Sequence, residues 1–443
     1  MESASSKDCA IFILLGQVNC GKSTLLEHLF FLSAIQTGLT LEEQFARKKE
    51  RMLSVAREHG LIAIRENPLL EYFTHVISFR SSGWKLVVTN VPGHKAFTKA
   101  VVSGIINSDC AILVVSAIPG EYEVGISNDG QTRQHALLAF FLGIQHLIIC
   151  VNKMDDKSVD WSQARFEEIR KELLAFLTKI GYKTENITFI LTSAWRGHNV
   201  SEKPPAVPWY SGPTLVEAIK QMDKKILTQN AENKASEKPL RITISDFFKI
   251  GGIGTVVIGR VHSGTLKPGM AVSFAPFKNK TAEVNSIELF HEPLSQALPG
   301  YFIGFSVKGL SEKEIKRGDV VGDPANDPPL EVTSILAQVT ILNHPTEIKT
   351  GYSPLMCCHT AKVACRFGEI KSKANMKTPT VIEENPKTVK NGERCLVTLT
   401  PVKPICVEVY SEYPCLGRFV LLDGSLVVGV GTIKSVTKQK SAV

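Results

Sequence analysis

Gly16-Gln17-Val18-Asn19-Cys20-Gly21-Lys22-Ser23-Thr24 constrains this chain more than any other stretch. It fits the pattern GxxxxGK[ST] in full and follows an apolar run from Ala10 to Leu15. That order predicts a buried strand, a glycine-rich turn and a helix opening near Lys22. Glycines let backbone N–H groups curl around phosphate oxygens, and the positive pole of the helix adds to the cradle. Lys22 is placed to reach the β- and γ-oxygens, and the Ser23 hydroxyl to ligate Mg²⁺. The first expectation is therefore a nucleotide site built from Gly16 to Thr24.

With 443 residues the chain has room for two to four domains with substantial cores. A hydrophobic content of 44% and a charged content of 21% are ordinary for globular proteins. No apolar run approaches the roughly 18 residues that a membrane span requires. Met1 to Asp8 carries no signal-like apolar segment, so the expectation is a cytoplasmic protein with no membrane partner. Ten cysteines occur without a CxxC pair. Cys357-Cys358-His359 suggests a metal site at first sight. Neighbours on a strand face opposite ways, however, and buried, reduced core cysteines are the preferred reading. A formal charge of +8 is compatible with an RNA partner but too common to decide it.

From residue 1 to 235 short β-rich runs alternate with longer helical patterns, which predicts a mostly parallel sheet with helices on both faces. The strand candidates are Ala10–Leu15, Leu86–Asn90, Cys110–Ser116, Leu147–Val151 and Ile187–Thr192. Between the first two, Thr40-Leu41-Glu42-Glu43 reads as a capping box and Gly60 as a stop. The intervening helix groups Phe45, Met52, Leu53 and Ala56 on one face. Its Arg47, Lys48, Lys49 and Arg51 are either a solvated face, the commoner case, or an RNA contact. Gln229–Lys238 reads as a polar linker. Beyond it, strand alternation with Gly and Pro turns predicts two β-barrels, 239–328 and 331–443, changing over at the prolines of Asp323–Leu330. Gly252-Ile253-Gly254 lies outside any βαβ unit and reads as hairpin glycines rather than a dinucleotide loop.

A phosphate loop needs a partner that reads the base. Asn152-Lys153-Met154-Asp155 directly follows the strand Leu147–Val151, at the sheet edge where ligands bind. A carboxylate at Asp155 can accept from guanine N1–H and the 2-amino group, whereas adenine offers neither donor. The mismatch leaves a buried charge unpaired, at a cost of about 1–3 kcal/mol. Asn152 can tie the loop to the base, and the Lys153 stem can lie against the ring. Ser193-Ala194-Trp195, after the next strand, suits a backbone N–H aimed at guanine O6. In this order the motifs predict GTP or GDP as ligand.

At this point the chain resembles translation elongation factor 1-alpha, the eukaryotic relative of elongation factor Tu. The resemblance runs from Ile11 to Ser435 and is specific in Gly125-Ile126-Ser127-Asn128-Asp129-Gly130-Gln131-Thr132-Arg133 with His135-Ala136-Leu137-Leu138-Ala139-Phe140. It is equally specific in Phe248-Lys249-Ile250-Gly251-Gly252-Ile253-Gly254-Thr255-Val256 and in Ser411-Glu412-Tyr413-Pro414 with Leu416-Gly417-Arg418-Phe419. It implies an α/β P-loop GTPase domain followed by two β-barrels, which together carry aminoacyl-tRNA to the ribosome. A nucleotide exchange factor and a monomeric state belong to the same expectation. With only a short stretch before the phosphate loop, the expectation favours this family over the related termination and rescue factors, which carry long N-terminal extensions.

The departures gather where the γ-phosphate is sensed. Asn19 stands where the family has Asp, and Gly16-Gln17 where it opens Gly-His. Asn90-Val91-Pro92-Gly93-His94 matches Asp-x-Pro-Gly-His, so the resemblance gives His94 the role of positioning the attacking water. Asn90 replaces the carboxylate that holds Mg²⁺ through water and brings no negative charge. His59-Gly60-Leu61-Ile62-Ala63-Ile64 corresponds to Arg-Gly-Ile-Thr-Ile-Asp, which puts Ile62 in place of the Mg²⁺-ligating Thr. Either another Thr or a water takes over, or the metal bond is lost. Leu422-Asp423-Gly424-Ser425-Leu426-Val427 replaces a tRNA-touching Arg-Asp-Met-Arg-Gln-Thr, removing two arginines. The first expectation is a working elongation factor. The alternative is a diverged paralogue that binds guanine nucleotide, switches and hydrolyses poorly, and acts as an interaction protein.

Overall fold

The computed structural model describes residues 9–34, 73–79, 84–204, 207–232, 234–251, 254–276, 281–289, 292–310, 314–375 and 381–439. The Thr40 capping box, the basic cluster Arg47–Arg51, the Gly60 stop, Ile62 and its neighbours, and Gly252-Ile253 all lie outside the described residues. The chain divides into two compact units, one ending at Thr228 and the other running from Gln229.

The first unit is a six-stranded sheet in the order β2-β3-β1-β4-β5-β6. Its strands are β1 (Ile11–Leu15), β2 (Phe73–Phe79), β3 (Trp84–Asn90), β4 (Cys110–Ser116), β5 (His146–Asn152) and β6 (Ile187–Leu191). Helices α1 (Lys22–Ala34), α2 (Thr98–Ile106), α3 (Glu121–Ile126), α4 (Gln131–Phe141), α5 (Gln163–Ile180) and α6 (Leu215–Glu232) accompany it. β1 pairs in parallel with β3 and β4, β4 with β5, and β5 with β6. Every residue of β1, β4 and β5 is buried, as continuous apolar runs require when helices cover both faces of a parallel sheet. Leu25 and Leu29 of α1 and Leu215, Ile219 and Met222 of α6 share a core with Phe12, Leu14, Ile112, Val114 and Ile148.

The sequence pattern missed β2. It lies antiparallel on the sheet edge, Phe73 opposite Asn90 through Phe79 opposite Trp84, and needs only a hairpin to join β3 rather than a helical crossover. The chain leaves β1 for β3 on one side and reaches β4 on the other. The carboxyl end of β1 is thus a topological switch point, where α/β sheets bind ligands.

The expected linker begins where the two units divide and carries helical structure. α6 continues to Glu232, and Lys234–Glu237 forms a 3-10 turn, because Gln229, Ala231 and Glu232 are sound helix formers. Two antiparallel barrels follow. In the first, Ala271–Ala275 pairs both with Thr281–Leu289 and with Val320–Gly322, which closes the sheet. In the second, Leu355–Cys358 closes between Ala361–Asn375 and Arg418–Asp423. The hairpin Arg241–Ile250 to Gly254–Ser263 places Gly254 at φ +105°. Cys358 belongs to the second barrel's core, where its Sγ donates to the Leu416 carbonyl (3.2 Å), and the buried His359 meets the Cys406 carbonyl through Nε2 (2.9 Å). Burial pushes the Cys395 and Cys406 thiols up to about 12, as expected of inert core cysteines.

Candidate functional site: a phosphate loop coupled to a base-reading loop

β1 ends at Leu15, and Gly16 to Gly21 turn the chain into α1. The turn requires left-handed backbone at Asn19 (φ +63°) and Gly21 (φ +101°). Asn is among the side chains that tolerate this region, so Asn19 costs the loop little. A Cβ on Gly21 would collide with the Asn152 side chain, and one on Gly93 would stand 2.6 Å from Lys22 Nζ. Lys22 is buried and its amine donates to the carbonyls of Gly16 (3.0 Å) and Gln17 (2.7 Å). Val18, Asn19, Gly21, Lys22, Ser23 and Thr24 face Val91, Pro92, Gly93 and His94 across a cleft of about 460 Å³.

His94 begins the turn before α2. Its Nδ1 accepts the Ala96 N–H (3.2 Å), so the ring proton of the neutral form sits on Nε2. Held this way the exposed ring presents Nε2–H as a donor towards the cleft.

The second group of candidates forms at the ends of β5 and β6. Asn152, 2% exposed, closes β5. Its Nδ2 donates to the Cys20 carbonyl (2.9 Å), and its Oδ1 accepts the Ala194 N–H (2.8 Å) and the Thr192 hydroxyl (3.3 Å). One side chain therefore joins the phosphate loop to the Ser193-Ala194-Trp195 turn. Asn19, Gly21, Thr24, Asn152, Lys153, Asp155, Ala194 and Trp195 line a second cleft of about 290 Å³. It shares Asn19, Gly21 and Thr24 with the first, so both clefts open along the phosphate loop.

The remaining sequence candidates support these clefts from behind. Met154 is fully buried, and its N–H donates to the Thr192 carbonyl (3.2 Å). Ser193 is buried, with its Oγ accepting the Arg196 N–H (3.2 Å). Cys20 is buried, and its thiol is pushed up by burial against the lowering influence of Lys22. Gln17 and Cys20 line a separate cavity of about 140 Å³ beside the loop. Asn90, at the end of β3, is 8% exposed, and its Oδ1 has no hydrogen-bond partner among the described residues.

Three supporting residues were not found from local pattern. Glu121 of α3 accepts from Lys153 Nζ (2.6 Å) and from Ser116 Oγ (2.7 Å). Burial pushes its carboxyl up, but the bonds from Lys153 and Ser116 outweigh that and leave it lowered. His135 of α4 accepts the Gly16 N–H through Nδ1 (3.1 Å). Burial, aided by the Lys22 charge, lowers its pKa to about 3, so it stays a neutral acceptor. Arg196 pairs with Asp155 at 3.2 Å. His135 lies within a stretch of family resemblance; nothing local marks Glu121 or Arg196.

Profiles for the elongation factor Tu GTP binding domain, elongation factor Tu domain 2 and the GTP-eEF1A C-terminal domain-like region match residues 7–226, 254–322 and 334–434. An α/β phosphate-loop unit followed by two antiparallel barrels, matched in this order, defines the elongation factor Tu class of GTPases. The chain is 43% identical over 433 residues to elongation factor 1-alpha of Stylonychia lemnae, covering 97% of this chain and 95% of that one. It is 42% identical over 430 residues to elongation factor 1-alpha of Tetrahymena pyriformis, covering 96% and 97%. The chain belongs to the elongation factor 1-alpha family. Among solved structures it shares its fold with the S. cerevisiae Ski7 GTPase-like domain (TM-score 0.71, 18% identity, 96% of each chain). It also shares it with translation elongation factor SelB of Methanococcus maripaludis (TM-score 0.65, 18% identity, 97% and 80%). None of the described helices is long and apolar enough to cross a membrane.

Proposed function

We propose that the chain binds GTP and GDP across the two neighbouring clefts and, as a GTPase of its family, carries aminoacyl-tRNA to the ribosome in the GTP state. The observation that carries this reading is the position of Asn152, bonded at once to Cys20 and Ala194. It sets the spacing between the phosphate cradle and Asp155, which a guanine nucleotide must span. Lys22 supplies positive charge at the phosphates, the Lys153 stem lies along the base, and the Ala194 turn offers backbone donors to O6. His94 orients the water.

Ser23, exposed at the phosphate cleft, and the unpartnered Asn90 Oδ1 fit Mg²⁺, which takes one or two protein ligands and fills its shell from phosphate and water. When bound, the ion neutralises charge between the β- and γ-oxygens. Ser23 would ligate it directly and Asn90 would accept from one of its waters.

A second reading keeps the nucleotide and loses the switch. It is favoured by the amide at Asn90, which brings no charge to that place. The Asp423-Gly424-Ser425-Leu426 hairpin, with Gly424 at φ +60°, also presents no arginine where the family touches tRNA.

Competition between fluorescent GDP and unlabelled GDP or ADP tests the nucleotide claim; equal displacement by ADP ends it. Filter retention of labelled aminoacyl-tRNA with GTP against GDP then separates the two readings. In single-turnover hydrolysis with ribosomes, Asn90→Asp should raise a slow rate severalfold if the second reading holds. An already family-like rate in the unaltered protein would dismiss it.

A further inference from the structure

We propose that Arg196 is a positioning residue for guanine recognition, holding the Asp155 carboxylate in the orientation that lets both oxygens meet the base. This rests on the guanine-nucleotide reading above. Arg196 Nε lies 3.2 Å from Asp155 Oδ2, and this ion pair is the only side-chain partner of Asp155 among the described residues. The carboxylate is largely enclosed, with 16% of its side chain exposed, and it lines the base cleft. The Arg196 side chain is 62% exposed and does not line that cleft. The guanidinium therefore reaches the carboxylate from its outer side. An ionised carboxylate offers about four lone-pair sites, so one contact from Arg196 and two from guanine fit together.

The chain holds Arg196 in place. Its backbone N–H donates to Ser193 Oγ (3.2 Å), Gly197 turns the chain at φ +74°, and the Ser193 N–H returns to the His198 carbonyl (3.1 Å). The same short turn carries the Ala194 N–H, which is bonded to Asn152. Two determinants of the base site, the Ala194 donor and the Asp155 orientation, are thus fixed by one loop. Without Arg196 the carboxylate turns about its two side-chain torsions, and a pair of parallel donors loses its matched acceptors.

The test uses the full-length protein with Arg196→Gln, Arg196→Lys, Asp155→Ala and the double variant R196Q/D155A. Each is titrated with GDP and with inosine diphosphate, which lacks the 2-amino group, by displacement of fluorescent GDP. Arg196→Gln should weaken GDP about two- to fivefold, the range a partly exposed ion pair supports, and inosine diphosphate less. Arg196→Lys should recover part of the loss, and the gap should narrow at high salt. In the Asp155→Ala background, Arg196→Gln should add nothing. Equal losses for both nucleotides mark a merely structural effect and overturn the proposal, as does unchanged or tighter GDP binding. An unaltered protein that does not bind GDP defeats the guanine reading and this inference with it. Normal GDP binding in both proteins defeats this inference alone.

Discussion

Replacing Asn152 tests the coupling of the two loops directly. The side chain is 2% exposed and serves three groups: the Cys20 carbonyl at 2.9 Å, the Ala194 N–H at 2.8 Å and the Thr192 hydroxyl at 3.3 Å. Asn152→Ala orphans the first two, since the Thr192 hydroxyl can rotate to another acceptor. A buried backbone group left unsatisfied costs roughly 1–3 kcal/mol, so the two together cost about 2–6 kcal/mol. Part of that weakens the fold and part weakens binding. With half expressed in the bound state, about 1–3 kcal/mol, the GDP dissociation constant rises roughly 5- to 150-fold. Asn152→Asp keeps the volume but turns an oxygen towards the Cys20 carbonyl, so its loss should be at least as large. Because Asn152 spaces the loops that hold phosphate and base, both GDP and inosine diphosphate should weaken. Competition titration with fluorescent GDP measures both. A GDP affinity within about twofold of the unaltered protein, or a loss confined to GDP, would refute the assignment.

Two further predictions concern the second unit. Arg241 is fully buried and joins the barrels, with Nη2 to Glu408 Oε1 at 3.0 Å and to Asp327 Oδ2 at 2.7 Å; Glu408 in turn meets Lys438 at 2.8 Å. Arg241→Ala leaves Glu408 short of a charge partner, so the urea midpoint should fall by the equivalent of about 3–5 kcal/mol, and Arg241→Met with Glu408→Leu should recover much of it. A single variant as stable as the parent would show the network to be dispensable. Asp319, 4% exposed, has its carboxyl raised by burial to about 7 against the lowering bond and charge of Lys316. Between an unfolded value of about 3.9 and that figure the native state keeps a proton that the unfolded chain releases, so its contribution falls as pH rises through this window. Asp319→Asn should therefore raise the urea midpoint at pH 8 by the equivalent of about 2–4 kcal/mol and leave it unchanged at pH 4. The same gain at both values would assign the effect to something other than titration.

What the sequence by itself determined is what lies within a few residues along the chain. The phosphate loop was legible because a strand, its glycines and a helix start are consecutive, and Asn152 to Asp155 because they follow a run too apolar to be anything but a buried strand. The strands Cys110–Ser116 and His146–Asn152 were read nearly to their ends for the same reason. Tertiary structure alone decided which of those residues line the cleft and which stand behind it. Met154 and Ser193 belong to base-reading motifs yet are buried beneath the cleft. It also supplied partners that no spacing announces: Cys20 for Asn152 across 132 positions, Gly16 for His135 across 119, and Arg241 for Glu408 across 167. β2 escaped notice because an antiparallel edge strand is recognised by its neighbour, Trp84–Asn90, rather than by its own short alternation. Local pattern encodes backbone conformation and burial, whereas side-chain pairing depends on where distant elements come to rest.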